Sequence, residues 1–166
     1  LKNNINIDIV GCNAKEINND NFVFKSTNYP QYHKDILKRI SSRNPMVHSA
    51  VMIKKSYFDK AGLYPETYHK SRKTALPVED SLMWLQGMQN NCKFHNLQTP
   101  LVKIRYDIDL FKRRGGIFNA YQEFKVNYRI ITSLNSNKFN HILNIIIFAI
   151  RIQPISVRVL LWKILR

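Results

Sequence analysis

The sequence predicts an α/β fold, on three observations. Apolar residues alternate with polar ones in some segments, recur at helical spacing in others, and the two kinds of segment interleave along the chain. Strands and helices that take turns favour a sheet covered by helices over a bundle or a sandwich. At 166 residues, 45% hydrophobic and 22% charged, the chain is long enough for one unit with its own core and is not composed like a disordered segment.

Ile5, Ile7 and Ile9 alternate with Asn6 and Asp8 ahead of Gly11, the pattern of a half-buried strand. In residues 32–41, Ile36, Leu37 and Ile40 fall at helical spacing. Residues 49–53 read as a buried strand. Ser56-Tyr57-Phe58-Asp59 then has the form of a capping box opening a short helix, with Gly62 to end it. Pro77 precedes a helix over about residues 79–90, where Leu82, Leu85 and Met88 form one apolar face. Residues 93–97 and 101–106 read as two strands joined at Thr99-Pro100, the second setting Val102, Ile104 and Tyr106 against Lys103 and Arg105. From residue 138 onward the pattern is one or two basic amphipathic helices, broken near Gln153-Pro154. No segment repeats.

Charge is unevenly spread. The chain carries 26 Lys and Arg against 11 Asp and Glu, yet residues 112–166 hold ten basic residues and one acid, Glu123. Abundant Asn, Ile and Lys point to an AT-rich coding bias, but bias alone does not strip acids from one third of a chain. A basic region attracts phosphate-bearing partners: nucleic acid, an anionic membrane surface or a nucleotide-linked substrate. A nucleic-acid module is disfavoured because the sequence lacks zinc-finger spacing, an RNA-binding aromatic motif and a clear helix-turn-helix pattern. In the tail, Ile142, Ile145, Ile146, Leu160, Leu161, Trp162 and Leu165 supply apolar surface, and Arg151, Arg158, Lys163 and Arg166 supply charge. That mixture suits either a helix lying on an anionic leaflet or an ordinary terminal helix packed on the domain. Its longest apolar run, residues 142–150, is interrupted by Asn144 and ended by Arg151, too short for the roughly 20 residues that span a bilayer. Cys12 and Cys92 lie apart from each other and from any His cluster, so two buried thiols in a reducing compartment are expected. The sequence opens on Leu1 in polar, strand-like residues without the features of a signal peptide, and reads as a processed chain or a piece of a longer one.

Glu79 and Asp80 are the leading candidates for chemistry. They fall in the first turn of a predicted helix, where free backbone N–H groups and the helix dipole favour negative charge. An ionised carboxylate there can accept a proton from an incoming hydroxyl. Acids also prefer helix starts for purely structural reasons, so the position alone leaves both readings open. His48, just after Asn44-Pro45, is compatible with catalysis, although a lone His beside a strand is more often a hydrogen-bonded structural residue. Arg113-Arg114-Gly115-Gly116 joins two guanidinium groups to a flexible backbone, a local chemistry suited to phosphate or to a solvated turn. Asp107 and Asp109 have the spacing of a metal-binding Asp-x-Asp pair, which is common by chance.

Taken in order, these segments resemble the C-terminal, acceptor-side half of a family 2 glycosyltransferase of the GT-A fold, of the type that builds bacterial surface polysaccharides. The landmarks are Arg43-Asn44-Pro45 with His48; Val51-Met52-Ile53-Lys54-Lys55-Ser56; Ala61-Gly62-Leu63-Tyr64; Glu79-Asp80-Ser81-Leu82-Met83-Trp84; Lys93-Phe94-His95-Asn96-Leu97; Leu101-Val102-Lys103-Ile104-Arg105; and Arg113-Arg114-Gly115-Gly116. The resemblance covers roughly residues 1–120, leaving 121–166 as a helical basic tail. It implies an inverting transfer from a nucleotide-sugar donor to a glycan or lipid-linked acceptor, with Asp80 as the base and Glu79 as second choice. Trp84 would support the acceptor pocket, while Arg43, Asn44, His48, Arg113 and Arg114 would lie near acceptor or diphosphate. A second acid is common in the family where this chain has Leu82. The resemblance further implies a divalent metal, Mn or Mg, held in the complete enzyme by an Asp-x-Asp pair ahead of Ile5; Asp107 and Asp109 come too late in the chain for that place. The expected setting is the cytoplasmic side of the cell membrane, peripherally bound. A non-catalytic remnant or a subunit that depends on a partner is the alternative.

Overall fold

A computed structural model describes residues 6–64, 78–113 and 115–165. Four strands, β1 (Ile9–Ile17), β2 (Val23–Ser26), β3 (Met52–Ile53) and β4 (Phe94–Arg105), form one mixed sheet. β1 lies at its centre. Along one edge β1 pairs in parallel with β4 over its whole length; the other edge is shared by β3, antiparallel to Ile9 and Val10, and β2, antiparallel to the Lys15–Ile17 end. The helices are α1 (His33–Ile40), α2 (Lys55–Ala61), α3 (Glu79–Gln89), α4 (Ile108–Arg113), α5 (Ile117–Ser133), α6 (Phe139–Arg151) and α7 (Ile155–Leu165). The α/β class read from the sequence is therefore present, in a form compatible with a glycosyltransferase domain.

Several elements differ from their sequence reading, each for a local reason. The first strand begins at Ile9 rather than before it, and Gly11 lies inside it; Ile5 is outside the described residues. A central strand with partners on both edges is buried on both faces, so β1 loses the alternation of a half-buried strand: of its residues only Lys15 is exposed. Glycine is required at position 11 by close approach, because a Cβ there would run into the side chains of Asn96 and Met46. Residues 49–53 are not one buried strand. His48–Ala50 is a 3-10 turn, and only Met52 and Ile53 pair with β1, Met52 being exposed.

The capping box at Ser56 does not form either: α2 already starts at Lys55, and its N-cap, Lys54, makes no side-chain cap bond. Gly62 does end that helix, at φ +82°. Residues 93–97 and 101–106 belong to one continuous strand. Pro100 has no N–H for the ladder, and the β1–β4 register shifts at Asn13, opposite Pro100. There the Asn13 side chain takes over, donating to the Gln98 carbonyl at 3.0 Å while accepting from the Tyr29 N–H at 2.8 Å. β2 was not read from the sequence, and α5 starts at Ile117, four residues ahead of the segment read as a helical tail.

The core gathers Ile9, Ile36, Ile40, Met46, Tyr57, Phe94, Val126 and Ile130 around α3, whose Leu82, Met83, Trp84, Leu85 and Met88 are all buried. The single face read for α3 was therefore too narrow, because α2, α5 and the rest of the core enclose it. α5 runs through residues 120 and 121, where the sequence reading divides domain from tail, and delivers Val126 and Ile130 to this core. The tail breaks into α6 and α7 around Pro154 as its pattern predicts. Cys12 and Cys92 are buried free thiols. Among the described residues no helix is long and apolar enough to cross a membrane.

Candidate active site

The site forms where the loop after α1 meets the start of α3. Asn96 on β4, fully buried, fixes that loop by donating to the Pro45 carbonyl at 3.0 Å, and ties it to the segment ahead of α1 by donating also to the Pro30 carbonyl at 2.8 Å. Asn44, one residue earlier, is thereby held over the α3 N-terminus. Its Oδ1 accepts from the Trp84 indole N–H at 3.2 Å and from the Met46 N–H at 3.2 Å. An indole can only donate, so the Asn44 amide nitrogen must face the other way, and there it donates to Asp80 Oδ2. The opposite carboxylate oxygen, Asp80 Oδ1, accepts from the Ser81 N–H at 2.7 Å and from its hydroxyl at 3.4 Å. Asp80 is thus gripped on both oxygens and partly open to solvent.

His48 closes the other side. Its Nε2 shares a 2.8 Å hydrogen bond with the Tyr64 hydroxyl, and its ring meets the edges of Tyr64 and Trp84 at 5.9 Å. Burial pushes the Tyr64 phenol above its ordinary pKa, and the negative charges of Glu79 and Asp80 push it further. Tyr64 therefore keeps its proton and sits within the field of both carboxylates. It was not singled out from the sequence as a site residue; the signal available was its place at the end of Ala61-Gly62-Leu63-Tyr64, directly after the glycine that turns the chain out of α2.

Of the sequence candidates, Asn44, His48, Glu79, Asp80 and Trp84 come together. Trp84 has no exposed surface and stands behind Asn44 and His48, donating to the first and meeting the ring of the second. Arg43 is exposed on the same loop, near Arg39. Arg113 ends α4, and its side chain, with the whole of Arg114, lies outside the described residues. Gly116, at φ +91°, supplies the turn into α5 that a side chain would strain.

The described residues do not fit a divalent metal. No group of three or more His, Cys, Asp or Glu is arranged among them to hold one. Asp107 caps α4, accepting from the Leu110 N–H at 2.7 Å, and Asp109 pairs with Lys112 at 3.2 Å. Both acids of that spacing have structural roles.

A buried scaffold thus presents a doubly held carboxylate beside a tyrosine and a histidine, and a known protein similar to this chain is a glycosyltransferase. That protein is the UDP-Gal:alpha-D-GlcNAc-diphosphoundecaprenol beta-1,3-galactosyltransferase of Escherichia coli, 35% identical over 130 residues. The match takes in 77% of this chain and 44% of that protein, so the chain spans less than half the length of its relative. No family model matches the chain.

Proposed function

We propose that this chain is the acceptor-side part of an inverting glycosyltransferase of family 2 and the GT-A fold. It would move a sugar from a nucleotide-sugar donor to a lipid-linked glycan acceptor in the making of a cell-surface polysaccharide, at the inner face of the cell membrane. The observation that carries this reading is the 35% identity to a galactosyltransferase whose name specifies a UDP-sugar and a diphosphoundecaprenol-linked acceptor. Asp80 is the base in this proposal. The acceptor hydroxyl approaches the carboxylate, which takes its proton as the oxygen attacks the anomeric carbon and the nucleoside diphosphate departs from the opposite face. Asn44 and the Ser81 N–H hold the carboxylate in one orientation, so little motion is spent aligning it during the transfer. Glu79, next to it, is the second choice. The donor site and its metal are assigned in this proposal to none of the described residues, among which no group of three or more His, Cys, Asp or Glu is arranged to hold a cation.

The test is sugar transfer to an undecaprenyl-diphosphate-linked acceptor by the gene product containing this chain, comparing Asp80→Asn and Glu79→Gln. Loss of a general base lowers turnover by about 100-fold to 10,000-fold. Asp80→Asn is expected to do so with the KM for donor little changed. Near-normal turnover in a folded Asp80→Asn protein, with a collapse in Glu79→Gln, would transfer the role to Glu79; normal turnover in both would end the proposal.

A further inference from the structure

Helix α6 is built the wrong way round for a helix that packs on a core. Its buried residue is Asn144, whose amide donates to the Phe124 carbonyl of α5 at 3.0 Å. Phe148 lies against Phe124, ring centroids 5.5 Å apart, and Arg151 pairs with Glu123 at 2.9 Å. These contacts turn the side carrying Asn144, Phe148 and Arg151 towards α5. Phe139, Ile142, Ile145 and Ile146, spaced to form one stripe, are left exposed, Ile142 and Ile145 by more than half of their surface. A helix this apolar, with its amide inside and Ile142, Ile145 and Ile146 outside, is shaped for a second apolar phase.

The surroundings of the stripe indicate which phase. Tyr128 of α5 rests against His141 of α6 at 5.2 Å, so the outer side of α5 continues into the stripe. That side carries Tyr121, exposed, with Lys125 over its ring at 4.8 Å, and exposed Arg129; Lys138 stands at the foot of α6. The acid of the hairpin, Glu123, is held by Arg151. Apolar residues flanked by basic and tyrosine side chains match the acyl boundary and the phosphate layer of an anionic leaflet. A second copy of this chain fits less well, because a two-fold contact would set the same basic groups against themselves in a protein of net charge +15. At 13 residues α6 is about 20 Å long, against a hydrocarbon core of about 30 Å, so it lies in the surface and does not cross it.

We infer that the α5–α6 hairpin seats the protein on an anionic lipid surface, with the Phe139, Ile142, Ile145 and Ile146 stripe immersed and Lys125, Arg129 and Lys138 on lipid phosphates. The inference rests on the proposed function only for the lipid-linked acceptor that makes a membrane the place of work; the outward stripe stands without it.

Flotation of the 166-residue chain with acceptor-free vesicles separates the two. Vesicles of phosphatidylcholine alone and of phosphatidylcholine with phosphatidylglycerol are compared at low and high salt. The chain is expected to float with the anionic vesicles. Ile142→Gln/Ile146→Gln, two exposed positions whose change leaves the circular dichroism intact, is expected to lose about tenfold or more in partitioning. Lys125→Gln/Arg129→Gln/Lys138→Gln is expected to lose the preference for phosphatidylglycerol and its salt dependence; should it fail to fold, Lys138→Gln alone, at the exposed foot of α6, gives a smaller loss of the same kind. No flotation of the unaltered chain, or flotation unchanged by the isoleucine substitutions, overturns the inference. So does self-association that the isoleucine substitutions abolish in the absence of vesicle binding. None of these results bears on the sugar-transfer test of Asp80, which can fail or succeed separately.

Discussion

Single residues in this protein act as staples between distant segments. Asn44 joins a loop to α3, Asn96 joins that loop to the sheet, and Asn13 bridges a shifted strand register; Asn44 and Asn13 use both ends of the amide, Asn96 donates twice from its nitrogen, and each is a short side chain with little rotamer entropy to lose. Asp8 does the same with a charge. Almost fully buried just ahead of β1, it accepts from the Lys60 ammonium of α2 at 2.7 Å and from the Lys93 N–H before β4 at 2.8 Å. Burial pushes its pKa up, but the Lys60 contact, the Lys93 N–H and the charge of Lys54 outweigh it, so the folded value lies below the ordinary 3.8. As pH falls the unfolded chain therefore takes up this proton first. The stabilisation is complete above about pH 4, fades as pH drops towards the folded value and is gone below it. Asp8→Asn is expected to flatten this part of an acid-unfolding curve. At neutral pH it should cost about 1–3 kcal/mol, mainly through the buried N–H of Lys93, since Lys60 is half-exposed and screened. Urea unfolding at pH 7 and pH 3 measures both; an unchanged difference between the two pH values would mean that other acids carry the dependence. At this scale the pair Glu79-Asp80 was legible in the sequence because acids at a helix start form a local pattern. Tyr64 and the Asn44 clamp were not, because their partners lie 16 to 40 residues away along the chain.

At the scale of elements, α3 shows how packing overrides periodicity. Its apolar residues were read as one face, yet neighbours surround it, and the closest of them comes at Gly87. A Cβ at this position would lie 2.6 Å from Tyr57 Cε2 and 2.8 Å from Cζ, and Tyr57 has no room to move: it is fully buried, and its hydroxyl donates to the Met83 carbonyl at 2.6 Å. In an open helix Gly→Ala gains about 1 kcal/mol of propensity. Here overpacking opposes it at about 1–3 kcal/mol, and the α2–α3 contact must part. Gly87→Ala is expected to destabilise the protein, and Gly87→Ala/Tyr57→Phe to recover part of the loss by removing the hydroxyl; equal urea midpoints for Gly87→Ala and the parent protein would contradict this packing account. β4 teaches the same lesson from the other side. Pro100 reads as a strand break, but a register shift and the Asn13 side chain let the sheet pass through it. The capping box at Ser56 failed because helix starts are set by which backbone the neighbouring strand releases: β3 ends at Ile53, and α2 begins two residues later.

For the molecule as a whole, the question is what these residues can bind alone. The loop, α3 and Tyr64 assemble one face with two carboxylates, and the described residues include no cation-binding cluster. A nucleoside diphosphate would find no metal bridge there, and two acids repel it. Titration calorimetry of the 166-residue chain with UDP-sugars and manganese is expected to show no saturable heat; a micromolar dissociation constant would place the donor site inside this chain. The basic excess of residues 112–166, by contrast, falls largely on the α5–α6 hairpin and α7, on elements other than the one that carries the two carboxylates.

By itself the sequence determined the α/β class, the start of α3 at an acid pair, the end of α2 at Gly62, the break of the tail at Pro154 and the concentration of positive charge. Each depends on neighbours within about one helical turn, or on composition, and such interactions are formed before any distant contact. Tertiary structure alone decided that β1 is a buried central strand, that Trp84 stands behind the site, that Asn44 clamps Asp80 and that α6 points Ile142, Ile145 and Ile146 outward. Those outcomes depend on which surfaces meet after the chain closes on itself. An amphipathic pattern specifies that a helix has an apolar side, and only the partner, here an α5 that accepts from the Asn144 amide, sets Phe124 against Phe148 and pairs Glu123 with Arg151, decides which way that side faces.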